Sequence, residues 1–169
     1  DLTRLICGSE GTLAVITKAR LKIRKLPEAF RTAIFLFDSL EKAGETIKLI
    51  RNAGVVPAAM EIMDRETVKT ASTYAGIDLP DCEALLIIET DGFKESAERE
   101  LDMALEQALL LDPVEWRIAS TQQEREQLWA ARKSAFPSLA RSAPTCSMED
   151  LSVPIKEITA TLKKIQELP

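Results

Sequence analysis

The sequence predicts an α+β domain built on an antiparallel sheet of split βαβ, or ferredoxin-like, type. Three observations lead there. Apolar stretches of strand length alternate with stretches whose apolar residues recur every three or four positions. From residue 31 to residue 119 the elements run β-α-β-(short α)-β-α-β, the split βαβ order with one added short helix. A helix, a strand and a last helix then follow, the start of a second such unit over about residues 145–169. In this topology the helices are expected on one side of the sheet.

Leu2 to Ile23 reads as strand–turn–strand, with Leu21 and Ile23 alternating with Lys22 and Arg24. Gly8 and Gly11 bracket the turn. Lys25-Leu26-Pro27-Glu28 reads as a linker and a domain boundary, because proline breaks a strand ladder. Residues 31–37 form the next strand. Asp38 with Glu41 predicts a helix start, and Leu40, Ala43, Ile47 and Ile50 fall on one face before Gly54 stops the helix. Val55 to Met63 is a strand with Met60 and Ile62 on one face and Glu61 and Met63 on the other. Asp64 opens a short helix that ends at Gly76. Residues 83–90 carry the continuous apolar run Ala84 to Ile88, suited to a central strand.

A long helix spans about Lys94 to Leu111, with Ala97, Leu101, Ala104, Leu105 and Ala108 inward, and Asp112-Pro113 ends it. Val114 to Ala119 is a strand. Thr121 and Glu124 form a capping box for a helix from Gln122 to at least Phe136, where Pro137 should kink or end it. Thr145 to Val153 is a strand, and Pro154 stands at a helix start. Ile155, Ile158, Leu162 and Ile165 make the last apolar face.

With 169 residues, the chain is long enough for one domain or one and a fraction. A hydrophobic share of 46% and a charged share of 29% suit a globular protein. The net charge of −5 argues against nucleic acid as partner, and no apolar run has the length of a membrane span. Cys7, Cys82 and Cys146 are far apart and odd in number, so they read as reduced thiols of a cytoplasmic protein. The chain has no histidine, which excludes Ser-His and Cys-His catalysis and histidine-ligated metal within it. It has no initiating methionine and opens on a strand already under way, so a fragment of a longer protein is expected.

Two places suit ligand chemistry. Glycines flanking Ser9 and Glu10 allow backbone N–H groups to close on an anion, although the same pattern also suits an ordinary hairpin turn. Trp129 and Arg132 share a helix face with Phe136 a turn further on. The planar guanidinium of Arg132 matches a carboxylate bidentately, or else its stem packs on Trp129 at the surface. Lys133 lies about 100° round the helix, on the solvent side. Glu149 and Asp150, adjacent on a strand, face opposite ways and cannot act as an acid/base pair on one substrate.

Residues 1–17 resemble the end of the FAD-binding domain of FAD-linked oxidases, near the glycolate oxidase flavin subunit and the D-lactate and D-2-hydroxyglutarate dehydrogenases. Residues 128–137, residues 148–154 and residues 60–64 resemble segments of that family's substrate (cap) domain. The resemblance implies residues 1–27 as the edge of the FAD domain and residues 28–169 as part of a duplicated ferredoxin-like cap, its first unit over about residues 28–120. It implies FAD contacts at Gly8, Ser9, Glu10, Gly11, Thr12 and Ile16. The donors would be the amides of Gly8, Ser9 and Gly11 and the hydroxyls of Ser9 and Thr12. Glu10 would turn toward sugar hydroxyls or a basic partner, and Ala14 stands where many relatives have glycine.

Arg132, as the arginine of Trp-x-x-Arg, would hold the carboxylate of a small 2-hydroxy acid, and Asp150 matches an acidic residue beside the active site. No catalytic residue is expected in this chain, since the family's histidine-rich segment lies further on. The implied activity is oxidation of an acid of glycolate or D-lactate type to the 2-oxo acid by hydride transfer to FAD, with the fragment alone inactive. Implied partners are the acid and either further subunits of an oxidase complex or an electron acceptor. The competing reading is a non-enzymatic ferredoxin-like module for regulation or protein interaction.

Overall fold

A computed structural model describes residues 1–141, 145 and 151–167. Its centre is a four-stranded antiparallel sheet: β1 (Ala29–Phe37), β2 (Ala59–Asp64), β3 (Ala84–Gly92) and β4 (Glu115–Ile118), in the order β2-β3-β1-β4. This is the ferredoxin-like arrangement. Ile34 sits opposite Ile87 and Phe35 opposite Leu86, so the long apolar strands β1 and β3 take the middle. β4 pairs with β1 from Ala33↔Ile118 to Leu36↔Glu115, and β2 pairs with β3 from Ala59↔Glu89 to Asp64↔Ala84.

Helices cover both faces of the sheet, not one. α2 (Leu40–Asn52) and α4 (Lys94–Leu109) bury Ile47, Ile50, Leu101 and Ala104 against Phe35, Phe37, Leu86 and Ile88. On the other face, α3 (Arg65–Ala75) and α5 (Gln122–Leu139) bury Val68, Ala71 and Ala135 against Ile34, Leu36, Leu85 and Ile87. The reason lies in β1 and β3 themselves. Their central residues are apolar at consecutive positions, so each face leaves an apolar surface that must be covered. α6 (Ile158–Gln166), entered through a 3₁₀ turn at Ile155–Glu157, packs Ile158 and Leu162 on the first cluster, and Lys163 pairs with Glu41 of α2.

Several element boundaries differ from the expectation. The helix expected to be capped by Asp38 is capped by Ser39, whose hydroxyl accepts from the Lys42 amide, while the Asp38 carboxylate pairs with the Lys42 ammonium. β2 starts at Ala59 because Val55 instead closes the end of α2, its amide donating to the Ile50 carbonyl at 3.3 Å. α4 stops at Leu109, two residues early, in a turn where the Leu111 and Asp112 amides donate to Ala108 and Leu109. β4 is likewise shorter than expected, Glu115–Ile118.

Pro137 does not end α5, which runs on to Leu139. The last turn survives through Ala140 N–H to Phe136 O at 2.9 Å and through burial of Ala135 and Ser138.

The expected strand–turn–strand over residues 2–23 is absent. Residues 2–6 form a short helix, α1 (Leu2–Ile6), capped by the Asp1 carboxylate, and residues 13–27 take no regular structure. The alternating side chains Val15, Leu21 and Ile23 are exposed, and no neighbouring strand among the described residues offers a ladder. A pair of short strands is marginal without further strands or a packed face. Of the strand expected over residues 145–153, residues 146–150, with Cys146, Glu149 and Asp150, lie outside the described residues; residues 151–153 carry no regular structure.

Gly44 lies inside α2, where glycine disfavours helix by about 1 kcal/mol relative to alanine. Its use is close approach. A Cβ there would fall within the van der Waals shell of Thr159 Oγ1 on α6, a buried hydroxyl with no hydrogen-bond partner among the described residues. Gly44→Ala is expected to loosen α6 at about 1–3 kcal/mol, the usual range for overpacking. Thr159→Ala should stabilise the chain slightly and make Gly44→Ala favourable in combination. Thermal melts with hydrogen exchange over residues 158–166 test this. A stable single Gly44→Ala variant with unchanged α6 protection would refute it.

Candidate functional site

α5 lies over the sheet with a polar stripe turned inward. Arg125, Trp129 and Arg132 follow at four- and three-residue spacing, which puts them on one helix face. The helix is held by its capping box: Thr121 Oγ accepts from Glu124 N, and the Glu124 carboxylate accepts from Thr121 N.

Beneath the stripe, two carboxylates rise from the sheet. Glu89 of β3 is 5% exposed and every bond it makes is short. Arg125 grips it bidentately, Nε to Oε2 at 2.8 Å and Nη2 to Oε1 at 2.7 Å. Trp129 Nε1 donates to Oε2 at 2.7 Å and Thr32 Oγ1 to the same oxygen at 2.6 Å. Burial alone would push the Glu89 carboxyl up. The donors Arg125, Thr32 and Trp129 outweigh it and hold the pKa below the ordinary carboxylate value. The other side of the Arg125 guanidinium stacks on Phe30, 4.5 Å from the ring centre.

Glu61 of β2 is the second carboxylate, and it receives Arg132 Nε at 2.8 Å. The Arg132 side chain is 43% exposed and that of Glu61 36%. Among the described residues nothing reaches Arg132 Nη1 or Nη2, so the terminal edge of the fork is open to a ligand. It borders a cleft of about 260 Å³ between β2, α5 and α6. Glu61, Asp64 and Arg132 supply the charge there, and Met63, Ala135 and Leu162 supply apolar wall. Asp64 also caps α3, one oxygen accepting from the Thr67 amide at 3.0 Å.

The cleft can bind one carboxylate through two parallel N–H bonds beside a small apolar surface. The Trp129 N–H is committed to Glu89, and Arg132 Nε to Glu61. Lys133 is exposed, as the helix geometry requires.

The glycine turn stands apart from this cleft. Gly8 (φ 82°), Glu10 (φ 48°) and Gly11 (φ 78°) are all left-handed, a conformation costly for Glu10 and free for the glycines. Ser9 N donates to Ile6 O at 3.1 Å, and Thr12 donates to Ser9 O through both its amide, at 2.9 Å, and its hydroxyl, at 2.6 Å. Two of the expected donors, the Ser9 amide and the Thr12 hydroxyl, are therefore engaged inside the turn. The amides of Gly8, Glu10 and Gly11 make no backbone hydrogen bond among the described residues. That leaves three backbone donors in one open turn with no Cβ obstructing Gly8 or Gly11, a surface that fits an anionic group such as a pyrophosphate. Ile16 is exposed beyond it.

Cys82 is buried beside Asp81 and Glu83. Burial, then the two carboxylates, push its thiol up to about 11, so it stays protonated at neutral pH and is no nucleophile.

Glu89, Arg125 and Glu61 were not singled out as site residues from sequence. The signals were there. Glu89 is the first charge after the apolar run of β3, and the two arginines share the Trp129 face of a helix otherwise scarcely amphipathic.

Residues 26–168 match the family model described as "FAD linked oxidases, C-terminal domain". The chain is 38% identical to "Glycolate oxidase subunit GlcD" of Bacillus subtilis, over 99% of this chain and 36% of that protein. It is 32% identical to the protein of the same name from Escherichia coli K12, over 99% of this chain and 34% of the relative. "Probable D-lactate dehydrogenase, mitochondrial" of Danio rerio is 29% identical over 94% of this chain and 32% of its own length. The chain thus spans about a third of the length of these relatives. Among solved structures, an alkyldihydroxyacetonephosphate synthase superposes with a TM-score of 0.60 at 23% identity, over 84% of this chain and 29% of that one, a likeness of fold. With 143 of its 169 residues inside the matched range, the chain belongs to the FAD linked oxidases, C-terminal domain family.

Proposed function

We propose that this chain is the substrate-side part of a flavin-dependent oxidoreductase that oxidises a small 2-hydroxy acid of glycolate or D-lactate type to the 2-oxo acid. The observation that carries the reading is Arg132, whose open Nη edge borders a cleft with a small apolar wall. Family membership and the names of the relatives support it. FAD, when bound, supplies the two-electron acceptor. This chain orients: Arg132 holds the carboxylate, and the free amides of Gly8, Glu10 and Gly11 face the phosphates from residues 1–27, the edge of the flavin domain. Residues 28–169 belong to the cap domain, and the base that takes the hydroxyl proton comes from outside this chain. Binding acid and flavin from two domains fixes their relative orientation, a main source of rate.

The reading extends to a cytoplasmic setting, with further oxidase subunits or a separate electron acceptor as partners. No helix among the described residues is long and apolar enough to cross a membrane.

The test is anaerobic mixing of the flavin-loaded full-length protein with glycolate or D-lactate. Bleaching of the flavin absorbance by either acid is expected; no bleaching by either would sink the proposal. The 169-residue chain by itself is expected to show no dehydrogenase activity and little FAD affinity, because one turn supplies only part of a cofactor site. Fluorescence titration checks the second point, and stoichiometric binding at micromolar FAD would contradict it.

A further inference from the structure

Polar contacts, more than apolar ones, seat the first half of α5 on the sheet. From Gln122 to Ala130 no residue of the helix is fully buried, and its buried residues, Ala135 and Ser138, stand near its end. Apolar packing is non-directional, so Leu128 and Ala135 alone leave the helix free to slide and turn. The Glu89 carboxylate removes that freedom. Thr32 stands opposite Glu89 in the β1–β3 register and donates to Oε2 at 2.6 Å, which orients the carboxylate on the sheet. Arg125 and Trp129, one helical turn apart, grip the same carboxylate through bonds of 2.8, 2.7 and 2.7 Å. A slip of one residue moves a helix by about 1.5 Å and turns it by about 100°, enough to break all three.

Arg132 follows Trp129 by three residues, about 4.5 Å along the axis, so the clamp that sets Trp129 also sets the Arg132 fork. Glu61 receives that fork from the neighbouring strand, two residues along from Ala59, the cross-strand partner of Glu89. A buried ion pair is a weak source of net stability, because desolvation offsets the attraction, and its clearest use is to fix register. Resting on the reading of Arg132 as carboxylate anchor, we propose that Glu89 is a positioning residue for the reaction: through Arg125 and Trp129 it sets the register of α5 and thereby places the Arg132 fork at the cleft. Glu89 lies beneath the helix and is 5% exposed, so it acts through Arg132 and not by contact with the acid. Misplacing a positioning group by about 1 Å can cost about 100-fold in rate.

The experiment uses the flavin-loaded full-length protein with Glu89→Gln, Trp129→Phe and Arg132→Lys, singly and with each of the first two combined with the third. The readouts are kcat/KM for D-lactate and calorimetric binding of propionate, which lacks the hydroxyl and cannot turn over. Glu89→Gln keeps the shape but turns an N–H toward the donors, and it is expected to weaken both by about tenfold, the scale of one lost charge-assisted hydrogen bond. In the Arg132→Lys background, where there is no fork left to place, the same change should cost no more than about twofold. Trp129→Phe keeps the ring and removes only the N–H, so it repeats the test with the Glu89 charge intact; the same pattern at about threefold is expected. Losses that multiply with that of Arg132→Lys, or a lowered melting temperature with both readouts unchanged, would show a purely structural role and overturn the proposal, while Arg132 still stands as the anchor. If Arg132→Lys alone leaves both readouts unchanged, the anchor reading itself falls, and this proposal falls with it.

Discussion

Glu89→Ala is expected to lower the unfolding free energy of the chain by about 3–5 kcal/mol, the range for removing one partner of a buried ion pair. Glu89 is 5% exposed and takes four hydrogen bonds from three side chains on two elements, Thr32 of β1 and Arg125 and Trp129 of α5. Its removal leaves the Arg125 guanidinium half-buried with no counter-charge, and the Trp129 N–H and Thr32 hydroxyl without their acceptor. Urea unfolding of the chain measures the effect, and a loss below 1 kcal/mol would show that the network adds little.

The same carboxylate gives stability a pH dependence. Its folded pKa lies below the ordinary value of about 4.3, so its contribution is complete above that range and is lost as pH falls through the lowered folded value. Glu89→Gln, which has no charge to lose, should flatten the acid-side decline in melting temperature. Equal slopes in the two proteins would place the acid sensitivity elsewhere.

Arg132→Lys in the flavin-loaded full-length protein is expected to reduce kcat/KM for the 2-hydroxy acid by about 10- to 100-fold, since a charge-assisted hydrogen bond contributes about 1.5–3 kcal/mol. Lysine keeps the charge but replaces a planar fork with a point donor, so the bidentate geometry is lost. The flavin absorbance spectrum should not change. Unaltered kinetics would remove Arg132 from the site. Arg125 is the natural comparison: seven residues earlier on the same helix face, its Nε and Nη2 are taken by Glu89 and its guanidinium lies over the Phe30 ring. Two arginines on one stripe thus take different parts, one locking α5 to the sheet and one facing the cleft.

Legibility followed the range of the interactions. Where a residue's structural role is set by its neighbours in sequence, the reading was close. The apolar spacing of α2 and α4, the capping box of Thr121 and Glu124, the stop at Gly76 and the continuous apolar run of β3 each specify an element locally, and their order leads to the sheet. Arg132 was singled out by helix spacing and by family resemblance together, and it does border a cleft.

The failures occurred where a partner distant in sequence decides. The strands expected at residues 2–23 alternate correctly, yet alternation creates only the demand for a ladder, and no strand among the described residues meets it. The continuous apolar character of β1 and β3 already required two covered faces, but which helices would cover them depended on how the chain folded back. Glu61 looked like ordinary core strand, and Glu89 like a strand end. Their meaning comes from Arg132, 71 positions away, and from Arg125, 36 positions away.

The sequence by itself determined the element order from β1 to α5, the two central strands and the helix that carries both arginines, because propensity, capping and periodicity act over a few residues. Only the tertiary structure decided which carboxylate meets which arginine. A buried or half-buried charge takes whichever opposite charge the packing brings within about 3 Å, and that distance is fixed by the sheet register and by how α5 crosses it.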